Sequence, residues 1–160
     1  MRPSLLALLV VGAASSPTAS PCDLSQTCSL VRCKFRSVAE LRPLSPCSHL
    51  PGHFTLSDSS DVARLDPYVS SVTSVEGSLK VVGNEALTSV AAFGQLESIG
   101  GRLYIDNNPA LTSLVGLHRV SSIGAFHGVS LFVEANPRLT DMVALAEFAG
   151  PLPGAILIRG

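Results

Sequence analysis

A short run recurs three times in this chain and restricts it to a stacked fold. Leu79, Leu103 and Leu131 each begin an alternating stretch, and the stretches end at Asn84, Asn108 and Asn136. Three residues later comes Leu-Thr, at Leu87, Leu111 and Leu139. Successive copies lie 24 and then 28 residues apart. A repeat of that period is one unit of a solenoid, which cannot bury its apolar face alone and does so only against its neighbours.

The residues of one unit have distinct jobs. Leu79 and Val81 share one side of an alternating run, as do Leu103 with Ile105 and Leu131 with Val133. Period two is the strand signature, so these pairs point inward and the strands stack in parallel, about 4.8 Å apart. A second apolar set, Leu87, Val90, Phe93, Leu96 and Ile99, returns as Leu111, Leu114, Leu117, Val120 and Ile123, and begins again as Leu139, Met142, Leu145 and Phe148. These supply the other inward positions. Asn84, Asn108 and Asn136 occupy one corner of each unit, where an Asn can bend the backbone and hydrogen-bond main-chain groups. They are read as a structural turn ladder, and Thr88, Thr112 and Thr140 as structural too. Pro109 and Pro137 stiffen the corner and bar helix there.

Composition agrees with thin layers. Aromatic residues make up 5% of the 160, and Trp is absent, so the core is aliphatic. At 46% hydrophobic and 14% charged the chain is too apolar to stay disordered. A net charge of −1 gives no general pull towards nucleic acid or acidic membranes.

The chain divides into three parts. Residues 1–19 read as a signal peptide, with Arg2 as the positive start, Leu5 to Val11 as the apolar run and small residues after it. That run is too short to span a bilayer, which takes about 20 residues. Residues 20–51 form a cap holding all four cysteines, Cys22, Cys28, Cys33 and Cys47. An even count behind a signal points to two disulfides in three open pairings. Zinc is the rival, since His49 and His53 lie nearby, but there is no Cys-x-x-Cys and the spacing does not suit that metal. Residues 52–160 form the solenoid. Its first unit is divergent: Phe54 and Leu56 alternate as a strand, Ser60 is placed to cap a helical turn over Asp61 to Leu65, and Pro67 stops it. At the far end Ala155 to Gly160 starts a further strand with no polar cap after it. The expectation is a chain truncated there, continued or covered by a second copy.

The stretch GHFTLSDSSDVARL, the strand starts GSLKV and GRLYI, the Asn-Pro-x-Leu-Thr corners and the Ile-Gly-Gly exits resemble the receptor L-domain family. This is the leucine-rich-repeat-like β-helix of insulin- and EGF-type receptor ectodomains and of related microbial secreted proteins. The likeness covers about Gly52 to Phe148. It implies an all-β, right-handed parallel β-helix of three to four coils, used for recognition outside the cell. The resemblance does not extend to a kinase, furin-like region, second L domain or membrane span, so receptor signalling is not part of the expectation.

Function then falls to the outward side of the strands. One outward column is Thr55, Lys80, Tyr104, Phe132 and Leu157, and the other is Ser57, Val82, Asp106, Glu134 and Arg159. Lys80, Tyr104, Asp106, Phe132 and Glu134 are the candidate ligand-binding residues, because aromatics with flanking charges are enriched at binding hot spots. Stacked aromatics on neighbouring strands also steady a sheet, which is the plainer reading of the pair. The expected function is a secreted or cell-surface, non-catalytic module that binds an extracellular protein or glycan and needs no cofactor or metal. One alternative is a β-helical polysaccharide-active enzyme, with Asp106 and Glu134 one coil apart near the ~5 Å of a retaining carboxylate pair. The other is a structural cell-wall protein. No catalytic or nucleotide motif supports the enzyme, and Tyr104 and Phe132 interrupt the flat Thr array of an ice-binding solenoid.

Overall fold

The structure is a computed structural model that describes residues 33–148 and 150–160. The proposed signal peptide, Cys22 and Cys28 lie outside the described residues. The chain is mostly β, in two parallel sheets. The wide sheet has six strands: β1 (Cys33–Phe35), β3 (Phe54–Ser57), β5 (Leu79–Val82), β7 (Leu103–Asp106), β9 (Val129–Glu134) and β10 (Ala155–Ile158). The narrow sheet has four: β2 (His49–Leu50), β4 (Ser74–Val75), β6 (Ser98–Ile99) and β8 (Ser122–Ile123). From β1 to β9 the chain visits the two sheets in turn, so neighbouring strands of a sheet are about one repeat apart in sequence.

Register follows the apolar columns. Leu79 faces Leu103, which faces Leu131, and Val81, Ile105 and Val133 align in the same way. A slip by one residue would turn these side chains to solvent, so burial fixes the pairing. The core between the sheets is aliphatic, with Leu87, Leu96, Leu103 and Leu111 among its fully enclosed residues. Phe54 is its aromatic anchor, 5.2 Å from Phe35 and 5.8 Å from Phe93 between ring centroids.

The narrow sheet is absent from the sequence reading. Its two-residue strands carry one apolar residue each, Leu50, Val75, Ile99 and Ile123, too few to show a period. The glycines after them serve close stacking. A Cβ at Gly124 would sit 1.9 Å from the Gly100 carbonyl oxygen, and one at Gly100 would sit 1.9 Å from that of Glu76.

The corner after each wide strand is built alike. Asp58, Gly83, Asn107 and Ala135 all have φ between 53° and 66°, the left-handed region. The next residue is Ser59, Asn84, Asn108 or Asn136, each buried. The Asn84 side chain donates to Leu56 O (3.2 Å) and to Asn108 Oδ1 (2.9 Å), while Asn84 N–H donates to the same oxygen (3.1 Å). Asn108 repeats this with Val81 O (3.0 Å) and Asn136 Oδ1 (3.1 Å), and its N–H donates to that oxygen (3.0 Å). Asn136 donates to Ile105 O (3.2 Å) and Glu134 O (2.7 Å). Ser59 heads the line, its N–H donating to Asn84 Oδ1 (3.3 Å).

Four details depart from expectation. Residues 61–65 are not helical: Ser59 rather than Ser60 accepts from Val62 N–H, at 3.1 Å, and satisfies the corner without a helical turn. Ser57, placed in an outward column, is buried; its neighbour Asp58 is tied to Lys34 at 3.0 Å. The described part of the cap carries strands that the sequence pattern does not mark: β1 and β2 extend the two sheets, with helix α1 (Val38–Leu41) between them. Leu41, Leu44 and Cys47 are buried there, and no cysteine among the described residues is a free thiol. Finally, Met142 of the inward set is 38% exposed, as no further unit packs on that side of it among the described residues.

Candidate functional site

Backbone pairing places Lys80, Tyr104 and Phe132 side by side on the outward face of the wide sheet, and Val82, Asp106 and Glu134 beside them. All six are half-buried. The rings of Tyr104 and Phe132 stack at 4.4 Å with 7° between their planes. Side chains on neighbouring strands stand upright from a sheet, so the stacked rings turn their edges outward. The Tyr104 hydroxyl donates to Asp106 Oδ2 at 3.2 Å. Burial, the Asp106 charge and that hydrogen bond together push the Tyr104 phenol above its ordinary pKa of 10.0. Glu134 pairs with Arg159 at 3.6 Å. The two carboxylates are thus adjacent, but each is already engaged by a neighbour.

Three further residues join this group and were invisible in the repeat pattern. Arg102 precedes β7, and its guanidinium carbon lies 4.6 Å from the Tyr104 ring centroid and 5.4 Å from that of Phe126. Lys80 Nζ lies 5.6 Å from the Phe126 centroid. His53 meets Phe126 edge-on at 5.9 Å, and its Nδ1 accepts from Ser78 N–H at 2.8 Å. Phe126 reaches this position through a hairpin. Phe126 and Val129 exchange N–H···O bonds of 2.9 and 3.2 Å around His127 and Gly128, whose φ values are 51° and 76°. Two central residues at positive φ are the mark of a type I′ turn. The sequence did carry a signal. The spacing of 28 rather than 24 residues is this hairpin, inserted between Ile123 and Leu131.

Arg102 is the electrostatic oddity. Its Nε is buried with no hydrogen-bond acceptor. Leaving such a donor unmet costs about 1–3 kcal/mol. Two aromatic faces hold the cation, and cation–π attraction of roughly 0.5–2 kcal/mol each offsets part of that.

The narrow sheet carries a second polar line. His49 contacts Ser74 Oγ through Nδ1 and Glu76 Oε1 through Nε2, the latter at 3.1 Å. The order Ser–His–Glu resembles a nucleophile with its base. The His49 and Glu76 side chains are 52% and 59% exposed, so no water-excluding pocket surrounds them. The contacts tie β2 to β4. No group of three or more metal-ligating side chains forms among the described residues, and no helix among them is long and apolar enough to cross a membrane.

Comparison with known proteins adds one match. No curated protein matches the chain. The family model described as the receptor L domain matches residues 46–147, from the last turn of the cap through the third repeat. The chain belongs to the receptor L-domain family.

Proposed function

We propose that this protein is a non-catalytic recognition module, exported from the cell, that binds a ligand through the outward face of its wide sheet. Membership of the receptor L-domain family supports ligand binding in general, since such domains are ligand-binding modules of receptor ectodomains. The observation that carries the choice of surface is the stacked Tyr104–Phe132 pair. It joins two half-buried aromatics to charged neighbours on a rigid parallel scaffold. Tyr and Arg at the centre of a patch are the residue types that dominate binding energy. Lys80, Asp106 and Glu134 frame the pair and select the partner by charge. The same reading includes a right-handed winding of three to four coils and an N-terminal cap stapled by disulfides among Cys22, Cys28, Cys33 and Cys47.

The test is a double variant, Tyr104→Ala with Phe132→Ala. Both side chains point away from the core, so the far-ultraviolet circular dichroism spectrum is expected to stay unchanged while ligand capture falls at least a hundredfold. Normal binding by the folded variant refutes the assignment.

A further inference from the structure

The hairpin over Phe126 has no counterpart in the other repeats, and it brings an aromatic ring over two cations. The strand-start side of the face gathers Lys80, Arg102, His53 and His127 around Phe126. Asp106 and Glu134 lie at the other ends of their strands. Among the described residues Arg102 forms no ion pair. Its guanidinium carbon lies over the Tyr104 and Phe126 rings, and its Nε finds no acceptor. A guanidinium packed against two rings has fewer rotamers to lose, which preorganises its fork for a carboxylate. The outward edges of the stacked Tyr104 and Phe132 rings carry positive partial charge and favour the same ligand.

We propose that Arg102, Lys80 and the Phe126 hairpin form a carboxylate-binding site that takes an acidic side chain of a protein ligand lying across the sheet face. This rests on the recognition reading above and names the ligand chemistry at one end of the same surface. Polarity fixes the ligand's direction. At their end Arg159 offsets Glu134 and the Asp106 charge remains, which disfavours a carboxylate there, while Arg102 attracts it to the other end. A protein fits better than an acidic glycan because the stacked rings present edges rather than a flat plate for a sugar. The apolar neighbours Phe126, Phe132 and Leu157 suit the aliphatic or aromatic residues of a peptide beside its acid.

Random dodecapeptides displayed on phage are selected on the wild-type protein, and the strongest peptide is resynthesised. Peptides enriched in Asp or Glu are expected. The resynthesised peptide should bind Arg102→Gln and Phe126→Ala at least tenfold more weakly, and Arg102→Lys with an intermediate loss. Replacing its acidic residue by the amide should cost wild-type binding a similar factor, with melting temperature confirming that each variant folds. Recovery of no peptide, peptides without acidic enrichment, or binding indifferent to Arg102→Gln overturns the site. So does displacement of the peptide by polygalacturonate at equal carboxylate concentration, which assigns the site to a glycan. A peptide lost on Tyr104→Ala with Phe132→Ala but indifferent to Arg102→Gln leaves the recognition face standing and removes only this inference. One that binds the double variant normally removes the face itself.

Discussion

At the scale of single residues, the buried asparagines and the outward tyrosine show how one polar atom serves either packing or exposure. Asn108 satisfies Val81 O and Asp106 O, receives the Asn84 N–H and donates to Asn136. Removing its amide leaves several buried groups unpaired, each worth about 1–3 kcal/mol. Asn108→Ala is therefore expected to lower unfolding free energy by about 2–5 kcal/mol in urea titration. Asn108→Asp restores one acceptor but no donor, and should recover little. Tyr104 gives a second, spectroscopic prediction. Its phenol is raised by burial, by the Asp106 charge and by its hydrogen bond to Asp106. A raised folded value means that its contribution to stability is full below pH 10 and declines as pH climbs through the folded pKa. Absorbance titration of phenolate should show one of the two tyrosines ionising late, absent in Tyr104→Phe and shifted back towards 10.0 in Asp106→Asn. A normal Tyr104 titration contradicts the contact with Asp106.

At the scale of elements, the corners explain what a reader of the sequence can and cannot see. The alternating pairs Leu79–Val81, Leu103–Ile105 and Leu131–Val133 align one above another, and their spacing is visible because each inward position repeats one residue type. The corner's left-handed residue is Asp58, Gly83, Asn107 or Ala135, four different residues doing one backbone job, so no pattern marks it. Ser59 hides in the same way, standing where the later units have Asn. The Phe126 hairpin left only a change of spacing, because a loop's path over a sheet depends on contacts far apart in sequence. Arg102 carries no mark in the sequence for that reason: its role comes from Phe126, 24 residues on. The corner also yields a stabilising prediction. Ala135 holds φ at 54°, where a Cβ costs roughly 1–2 kcal/mol. Ala135→Gly relieves that strain while adding freedom to the unfolded chain, worth roughly 0.4–1 kcal/mol in the other direction. The net expectation is a gain of up to about 1 kcal/mol, read as a higher urea midpoint at unchanged m-value.

At the scale of the whole molecule, one inward column passes through environments that differ only in what stacks on either side. Leu103 lies between two strands and is 1% exposed. Leu131, one strand further on, is 5% exposed, and Ile156 in β10 is 53% exposed. The three have similar volume and the same register, so truncation to Ala isolates the effect of position along the stack. Leu103→Ala removes fully enclosed methyl groups and leaves a cavity between neighbours that cannot collapse onto it; the expected loss is about 2–5 kcal/mol. Ile156→Ala removes surface that water already reaches on one side, and the expected loss is below about 1 kcal/mol. Urea unfolding of the three single variants checks the gradient. Equal losses at Leu103 and Ile156 would mean that β10 is covered in solution, by a second copy or by other chain, and sedimentation of the wild-type protein separates those two cases. If the order holds in a monomer, stability in this fold is a sum over neighbouring units. The outward face can then change its ligand residues, Tyr104 and Phe132 among them, without touching the terms that hold the stack together.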